Sequence, residues 1–171
     1  MQSLGYGPDK RLAVKVSLRN IVPTRDPAVI LNDHLKEIYI DGTLEPVDTT
    51  NWYPKVQRKD FTVGMVVSEN GLDDPDQQFY ENFVCGADRN YSGYCNPELD
   101  RLIDRQSMEP DRETRRQLVW QIERRLAEDN VRPVIFYPRA AWCLQPRVKG
   151  MTLMVNGIYN GSRNEDLWLD R

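Results

Sequence analysis

The sequence predicts the α/β fold class, because segments with strand periodicity alternate along the chain with segments of helical periodicity. In Leu12–Arg19 a large apolar residue occupies every second position, which is typical of a half-buried strand. From Pro27 to Ile38 the apolar residues recur every three or four positions, which is typical of an amphipathic helix. Asp60–Val67 is a nearly continuous apolar run, which favours a buried central strand.

Capping and turn residues place the ends of the first helix. We expect Asp26 to be its N-cap, with Pro27 at the first helical position, where proline's missing N–H costs nothing. Asp41–Gly42 then ends the helix and turns the chain into a short strand, Thr43–Val47.

The middle of the chain predicts two more helices around the apolar run. Thr49 or Thr50 can cap the first of them, which carries Trp52. The acidic, turn-rich segment Ser68–Pro75 follows the apolar run and leads into a helix at Asp76–Phe83. Because this segment follows the end of a strand, it lies where open α/β sheets tend to bind ligands.

The last part of the chain predicts two helices and then short strands. Pro97–Ile103 and Asp111–Asp129 have helical periodicity, and the second places Leu118, Ile122 and Leu126 on one face. Short strands are expected at Val134–Tyr137, Trp142–Leu144 and Met151–Val155.

Composition fits one globular domain, which we assign to residues 1–171. The 171 residues are 40% hydrophobic and carry a net charge of −3 with both signs interleaved, so the sequence offers no basic surface for nucleic acid or anionic lipid. No apolar stretch is long enough to span a membrane. Residues 1–8 do not resemble a signal peptide, which indicates the cytoplasm for a complete chain and nothing for a fragment.

Three cysteines leave two interpretations open. Cys85 and Cys95 either form a disulfide, worth about 2–3 kcal/mol in the chain-entropy account, or remain two reduced thiols. Cys143 lies in an apolar stretch and is expected to be a small buried side chain. The spacing of the cysteines matches no zinc motif.

The sequence contains no arrangement typical of catalysis or of a bound cofactor. His34 is the single histidine, and a lone histidine on a helix is more often a surface residue than a catalyst. Nucleophile-elbow, P-loop and dinucleotide-binding patterns are absent. An enzyme would have to use acids such as Asp73 and Asp74 as acid and base, although neighbouring acids on a turn usually point apart.

Four acids cluster around the turn before the third helix: Glu69, Asp73, Asp74 and Asp76. Their spacing does not match a calcium-binding EF-hand loop. They either cap the helix, where carboxylates are stabilised by the helix dipole, or one of them faces a cationic group of a ligand.

Several short strings follow one another in a particular order. They are Leu4–Pro8, Trp52 ahead of Asp60–Phe61, the turn Asp74–Asp76, Asn90–Asp100, Arg115–Tyr137 and Val148–Gly150. Together they resemble the C-terminal lobe of the peptide/nickel solute-binding proteins of bacterial ABC importers, known as family 5. The resemblance covers nearly the whole chain, and the ordered set is far more specific than any single string.

The resemblance implies the C-terminal lobe of a type II, dipeptide-binding-protein-like fold, with a mixed sheet flanked by helices. It implies a fragment of a longer two-lobe protein, in which residues 158–171 return toward the missing lobe. Such a protein captures a peptide or similar solute in the periplasm and delivers it to a membrane permease and its ATPase. It needs neither catalysis nor a cofactor.

The resemblance also implies a ligand site. In peptide-binding members an aspartate in the loop before the Asp-Pro turn holds the ligand's amino group, and Glu69, Asn70 and Asp73 occupy that loop here. Trp52 is a candidate wall of the same cleft. Two alternatives stay open: a non-peptide solute, such as an oligosaccharide, an opine or a metal chelate, and a free-standing interaction domain with a large exposed apolar patch.

Overall fold

The polypeptide forms two compact units, residues 1–68 and 69–171. The structure, a computed structural model, describes residues 1–68, 71–72, 74–137, 141, 143–151 and 164–170. Within these residues, no helix is both long enough and apolar enough to cross a bilayer.

The first unit is a parallel sheet joined by two helices. In chain order it contains a short 3-10 helix (Gln2–Leu4), β1 (Leu12–Arg19), α1 (Val22–Glu37), β2 (Ile40–Val47), α2 (Thr49–Gln57) and β3 (Val63–Met65). The strand order is β2-β1-β3, and both pairings are parallel. This alternation of strands and helices confirms the predicted α/β class, and β1 has the predicted bounds.

One face of the sheet forms the core of the first unit together with α1. The register aligns Val16 with Val63 and Leu18 with Met65, so these side chains share a face. The buried apolar residues of this cluster are Val16, Leu18, Ala28 and Met65. Full burial of a large aliphatic side chain contributes about 1.5–3 kcal/mol, so this face accounts for much of the packing energy of the unit.

The first helix starts earlier than predicted. It begins at Val22, so Asp26 is not its cap and Pro27 lies inside it. Pro23 stands in the first turn, where proline is tolerated because the first N–H groups have no helical acceptor. The Thr24 hydroxyl, almost fully buried, also donates hydrogen bonds to two carbonyl groups of the preceding turn and fixes this start.

The first helix also ends differently. Tyr39 adopts a left-handed backbone, with φ of 65°, and β2 starts at the next residue. Asp41 and Gly42 therefore lie within the strand and not in a turn. A Cβ atom at Gly42 would lie 1.7 Å from Oδ1 of Asn32 on α1, so a larger residue there would force the Asn32 side chain to move.

The prediction of a central strand at Asp60–Val67 is wrong. The strand is only three residues long and, within the described sheet, lies at an edge beside β1. An apolar run indicates burial but does not identify its neighbours, and here only Met65 of the three is buried. The edge position of β2 explains its Pro46, since proline is tolerated where no ladder hydrogen bond is needed.

The second unit is mainly helical. It contains α3 (Pro75–Asn82), α4 (Pro97–Ser107), α5 (Arg112–Glu128), β4 (Val148–Lys149), a 3-10 helix (Asn164–Asp166) and β5 (Trp168–Leu169). The two short strands pair antiparallel. The buried apolar cluster consists of Phe79, Leu99, Ile103, Ile122 and Leu126.

Each of the three helices begins at a side-chain cap. Asp74 accepts a hydrogen bond from the backbone of α3, Asn96 caps α4 and Asp111 caps α5. Such a cap is worth about 1 kcal/mol. The predicted helix 111–129 is confirmed with Asp111 as its cap, and the predicted helix at 97–103 continues one further turn to Ser107.

The apolar segment Val134–Tyr137 is not a strand. Its four side chains are exposed by 48% to 85%, and no described residue pairs with its backbone. A β-branched and aromatic run predicts a strand only where a partner strand is available.

Cys143 is exposed and not buried as expected. Trp142 and residues 152–155 of the two other expected strands lie outside the described residues, and Leu144 is not in a strand.

Candidate functional site

The strand order of the first unit defines a crevice position. From β1 the chain crosses to β2 on one side, and from β2 it crosses back past β1 to β3 on the other side. The direction in which strands are added to the sheet therefore reverses at β1. In open α/β sheets, ligands bind outside the carboxyl ends of the strands at such a reversal. Here those ends are followed by Asn20, by Asp48 and by the segment 66–68.

Arg19 is the last residue of the central strand, and its side chain is held at this edge. Its Nε donates to Oγ1 of Thr49 at 2.9 Å, and its Nη1 donates to the hydroxyl of Tyr53 at 3.3 Å. The guanidinium lies 5.6 Å from the centre of the Tyr53 ring, within the range of a cation–π contact. We call these three residues the Arg19 cluster.

The two partners of Arg19 come from one helix face. Thr49 and Tyr53 are four residues apart on α2, so they lie one above the other. The helix begins at Thr49, with Asp48 as its N-cap, one residue before the predicted caps. Tyr53 is 43% exposed, so the cluster is open to solvent.

Two helix starts contribute partial positive charge to this edge, and the carboxylate of Asp48, the N-cap of α2, contributes negative charge. Both α1 and α2 begin here, and neither has an acid in its first turn. The partial positive charge of a helix start is therefore not neutralised by a first-turn carboxylate. Asp48 is exposed, and its side chain makes no capping hydrogen bond.

A second polar group lies on the sheet face that carries the odd-numbered residues of β1. The fully buried Ser17 donates a hydrogen bond of 2.6 Å to the Glu45 carboxylate. Lys15 and Lys55 lie 3.3 and 3.4 Å from the same carboxylate, and Asp60 pairs with Lys55. The Ser17 hydrogen bond and the two lysines hold the pKa of Glu45 below its ordinary value. Because these groups satisfy one another, the cluster offers no reactive side chain for catalysis.

Of the four predicted ligand contacts Glu69, Asn70, Asp73 and Trp52, only Trp52 lies among the described residues. It is 2% exposed, so in this unit its ring is packed and does not offer an open face. Its contact with a ligand stays a prediction. Glu69, Asn70 and Asp73 lie outside the described residues.

The acids of the Asp-Pro-Asp turn are occupied within the second unit. Arg115 donates to both oxygens of Asp74 at 2.9 and 2.7 Å. Ser107 donates to Asp76 at 2.6 Å, and the buried Gln106 donates to the same carboxylate. Paired in this way, Asp74 is a helix cap and ion-pair partner, which leaves it unsuited to act as a general base.

Sequence reasoning misses Arg115 because α5 carries it among other basic residues, a pattern typical of a solvated helix face. Its partner Asp74 is 41 residues away in the chain, so no local pattern connects the two. The Arg19 cluster is missed for the same reason, since Arg19 alone indicates only the polar end of a strand. The sequence does contain a signal for this cluster, because Arg19 stands at the end of the alternating apolar segment and just before the start of a helix.

The segment between the two cysteines is organised around one asparagine. Cys85 and Cys95 are joined by a disulfide in the structure, with their Cα atoms 4.5 Å apart. Within the loop Asn90 is only 3% exposed and donates to the carbonyls of Val84 and Tyr94 at 3.1 and 2.7 Å. Its oxygen accepts from the backbone of Gly93 at 3.1 Å. The disulfide and these hydrogen bonds therefore connect the two ends of the loop.

Two comparisons with known proteins find nothing: no family model matches the sequence, and no curated protein matches it. Solved structures do match. Burkholderia pseudomallei OppA has a TM-score of 0.80 at 19% identity, covering 99% of this chain and 33% of that chain. Escherichia coli murein tripeptide binding protein MppA has a TM-score of 0.79 at 18% identity, with the same coverage.

A third match, Helicobacter pylori DppA in complex with the peptide STSA, has a TM-score of 0.79 at 17% identity and covers 94% of this chain and 32% of that chain. The chain has the fold of part of these three proteins. It spans about a third of the length of these three structures. MppA is a murein tripeptide binding protein and DppA is an ABC transporter-associated periplasmic binding protein, the kind of protein that the sequence resembles.

Proposed function

We propose that the chain is the substrate-binding part of an ABC importer that captures peptides or similar solutes. The observation that carries the proposal is the agreement of nearly the whole chain with Burkholderia pseudomallei OppA, at a TM-score of 0.80. The ordered strings of the sequence support the same assignment independently of the coordinates.

The physical features of the first unit suit this role. A parallel sheet with two helix starts at its carboxyl edge supplies hydrogen-bond donors, and the exposed Tyr53 ring supplies a flat surface. Delivery to a permease and an ATPase, and a periplasmic location, are part of the proposal. We also propose that Glu69, Asn70, Asp73 and Trp52 contribute to the site in the longer protein.

A second candidate is a metal chelate. Staphylococcus aureus NikA in complex with Ni(L-His)2 matches with a TM-score of 0.67 at 19% identity, covering 76% of this chain and 28% of that chain. The proposed site is the same, and the ligand differs.

Binding is tested by titrating the isotope-labelled chain with a pool of tripeptides, and separately with Ni(L-His)2, while recording backbone amide signals. We expect weak, saturable shifts at Asn20 and Tyr53, because the chain spans only a third of its matches. Signals at Arg11 and Asp41, near the opposite edge of the sheet, serve as the internal control. Failure of every peptide to shift the carboxyl-edge signals would contradict a peptide-binding role, and a response to Ni(L-His)2 alone would favour the chelate.

A further inference from the structure

We propose that the outer edge of β2 pairs with the β2 edge of a second copy of this chain, antiparallel, across a two-fold axis at Gly42. The inference goes beyond the proposed function and does not depend on it. Three features carry it: the backbone groups that β2 leaves unpaired, the charges beside them and the surface of α1 above them.

The backbone of β2 has one paired side and one open side. At one end of the pairing with β1, the Leu12 N–H donates to the carbonyl of Tyr39 at 2.9 Å. At the other end, the Asn20 N–H donates to the carbonyl of Val47 at 2.9 Å. Because the register is continuous between these ends, the odd-numbered residues of β2 bond to β1 and the even-numbered residues point away from it.

The outward groups can accept a further strand. They are the N–H and C=O groups of Ile40, Gly42 and Leu44, together with the carbonyl of Pro46. No hydrogen bond among the described residues uses them, and β1 is the sole neighbour of β2 in the described sheet. Unpaired edge groups of this kind readily pair with a strand from another chain.

A two-fold axis at Gly42 satisfies all three outward N–H groups. Gly42 then pairs with Gly42 of the second copy, and Ile40 pairs with Leu44 of the second copy. Each pair exchanges two backbone hydrogen bonds, as residues directly opposite each other do in an antiparallel ladder. The same patch serves both copies, which is the requirement for a closed dimer.

The charges along β2 favour this register. With the axis at Gly42, the exposed Asp41 faces the exposed Thr43 of the second copy, whose hydroxyl can donate to the carboxylate. An axis at Thr43 would use the same donors but would place Asp41 opposite Glu45, and like charges directly opposite each other destabilise a sheet.

The acids of β2 do not protect the edge from pairing. Asp41 forms an ion pair with Arg11 at 2.7 Å, and Glu45 lies 3.3 and 3.4 Å from the ammonium groups of Lys15 and Lys55. Unpaired charges are one of the means by which edge strands avoid association. Here both carboxylates are neutralised within the chain.

Helix α1 carries apolar surface beside the same edge. Oδ1 of Asn32 lies 1.7 Å from the position of a Cβ atom on Gly42, so this part of α1 is directly above the strand. Val29 precedes Asn32 by three positions, which places it on the same side of the helix, and it is 53% exposed. A two-fold axis perpendicular to the sheet puts both α1 helices over one face, so Val29 of each copy approaches the junction and loses exposed apolar area.

The oligomeric state of the full chain tests the inference first. Sedimentation velocity across about a hundredfold range of concentration should show a monomer–dimer equilibrium. Amide hydrogen exchange then identifies the surface, because exchange at Ile40, Gly42 and Leu44 should slow as the concentration rises. Exchange at Asp41 and Thr43 should change little, since their N–H groups are bonded to β1 in the monomer.

Charge variants at one exposed position test the register. Thr43→Asp faces Asp41 of the second copy and should raise the dimer dissociation constant about tenfold, because the repulsion occurs twice across the axis. Thr43→Lys faces the same carboxylate and should lower the dissociation constant. Thr50→Asp, which adds the same charge at an exposed threonine of α2, is the matched control and should leave the dissociation constant unchanged.

A native chain that stays monomeric at every concentration would overturn the inference. So would a dimer that responds equally to Thr43→Asp and Thr50→Asp, or one whose formation leaves exchange at Ile40, Gly42 and Leu44 unchanged, because another surface would then join the copies. These measurements involve no ligand, so their failure leaves the proposed solute-binding function intact.

Discussion

Asp74 has two roles at the start of α3. One oxygen accepts from the backbone N–H of Asp76 at 2.9 Å, and both oxygens receive the Arg115 guanidinium. Asparagine can keep the cap but not the ion pair, whereas alanine loses both. We expect Asp74→Asn to lower the free energy of unfolding by about 0.5–1 kcal/mol, since the pair is partly exposed. Asp74→Ala should cost about 1 kcal/mol more.

Urea unfolding of both variants measures this difference. Arg115→Gln is the matched control, and in its background Asp74→Asn should cost almost nothing. Equal losses for Asp74→Asn in both backgrounds would show that the ion pair contributes nothing.

The same pair predicts a pH dependence. Two hydrogen bonds from Arg115 hold the pKa of the Asp74 carboxyl below its ordinary value, so the folded chain binds fewer protons there than the unfolded chain. The contribution of the pair is therefore complete above the pKa of the unfolded state and is lost as the pH falls through the lower pKa of the folded state. The stability difference between the native chain and Asp74→Asn should shrink in that acidic window. A difference that stays constant there would contradict this.

Asn90 is the residue on which the disulfide loop depends. Its buried amide satisfies two carbonyls, and its oxygen accepts from Ser92 and Gly93. Asn90→Ala should lower the free energy of unfolding by about 2–3 kcal/mol, because buried backbone groups lose their partners. Ser92→Ala, which removes one hydrogen bond to Asn90 and one from the backbone N–H of Tyr94 at an exposed residue, is the control and should cost less than about 1 kcal/mol. Thermal unfolding in oxidising buffer measures both, and equal losses would contradict the central role of Asn90.

At the residue scale the sequence predicts local roles well and distant partners poorly. The cap Asp111, at the start of the predicted helix 111–129, follows from a short-range rule, since the backbone N–H that it accepts from belongs to Thr114, three residues on. The partners of Asp74 and Arg19 lie 41 and 30 residues away, and only the fold brings them together. The exposure of Cys143 is likewise beyond a local rule, because burial depends on what packs against its stretch.

Helix α1 approaches β2 closely at Gly42. A Cβ at Gly42 would lie 1.7 Å from Oδ1 of Asn32, an oxygen that is buried and has no hydrogen-bond partner among the described residues. Gly42→Ala should lower the free energy of unfolding by about 1–3 kcal/mol through overpacking. Asn32→Ala should restore most of it in the double variant.

Hydrogen exchange of the first unit's amides measures this coupling. Asn32→Ala alone should change stability by less than about 0.5 kcal/mol. If the double variant were as unstable as the sum of its parts, contact between helix and strand would not be the cause.

The disulfide joins the segments on either side of the Asn90 loop covalently. Replacing Cys85 and Cys95 together by serine should cost about 2–3 kcal/mol, because the unfolded chain regains the freedom of a ten-residue loop. Peptide mass spectrometry of alkylated, non-reduced protein should recover the linked pair. Two freely alkylated thiols in protein prepared under oxidising conditions would count against it.

At the element scale, clear periodicity predicts the right kind of structure, the apolar run Val134–Tyr137 without periodicity does not, and turn rules misplace some ends. The eight residues of β1 have the predicted bounds because alternation is a strong signal. The start of α1 is misplaced because Pro27 looks like a first-turn residue, although it stands inside a helix that Thr24 already anchors. The edge position of β3 depends on which strands pair, and a local sequence pattern does not specify its pairing partners.

The whole molecule exposes an apolar segment at Val134–Tyr137. Because an exposed run of this kind promotes self-association, Ile135→Ser with Phe136→Ser should increase solubility and reduce binding of a hydrophobic dye. The free energy of unfolding should change by less than about 0.5 kcal/mol, since neither side chain is buried. Phe79→Ser, in the buried cluster, is the contrasting variant and should destabilise the second unit. Strong destabilisation by the exposed pair would show that the segment packs against the protein.

At this scale the sequence resemblance and the fold agree. The ordered strings point to part of a solute-binding protein, and structures of that kind match 94–99% of the chain at TM-scores near 0.8. The loop before Asp74 still carries the predicted contacts Glu69, Asn70 and Asp73, whose roles in binding stay predictions. The assignment of 1–171 as one lobe of a longer protein stays a prediction as well.

The strand order has a consequence for synthesis on the ribosome. Because β1 lies between β2 and β3, the first of these three strands to be made has both neighbours only after the third has been made. Val16 and Leu18 cannot pair with β3 until Met65 has been translated, which takes on the order of seconds at roughly 5–20 residues per second. During that interval the nascent chain exposes the apolar face of its future core. We expect this stretch to be the one that a holding chaperone would bind.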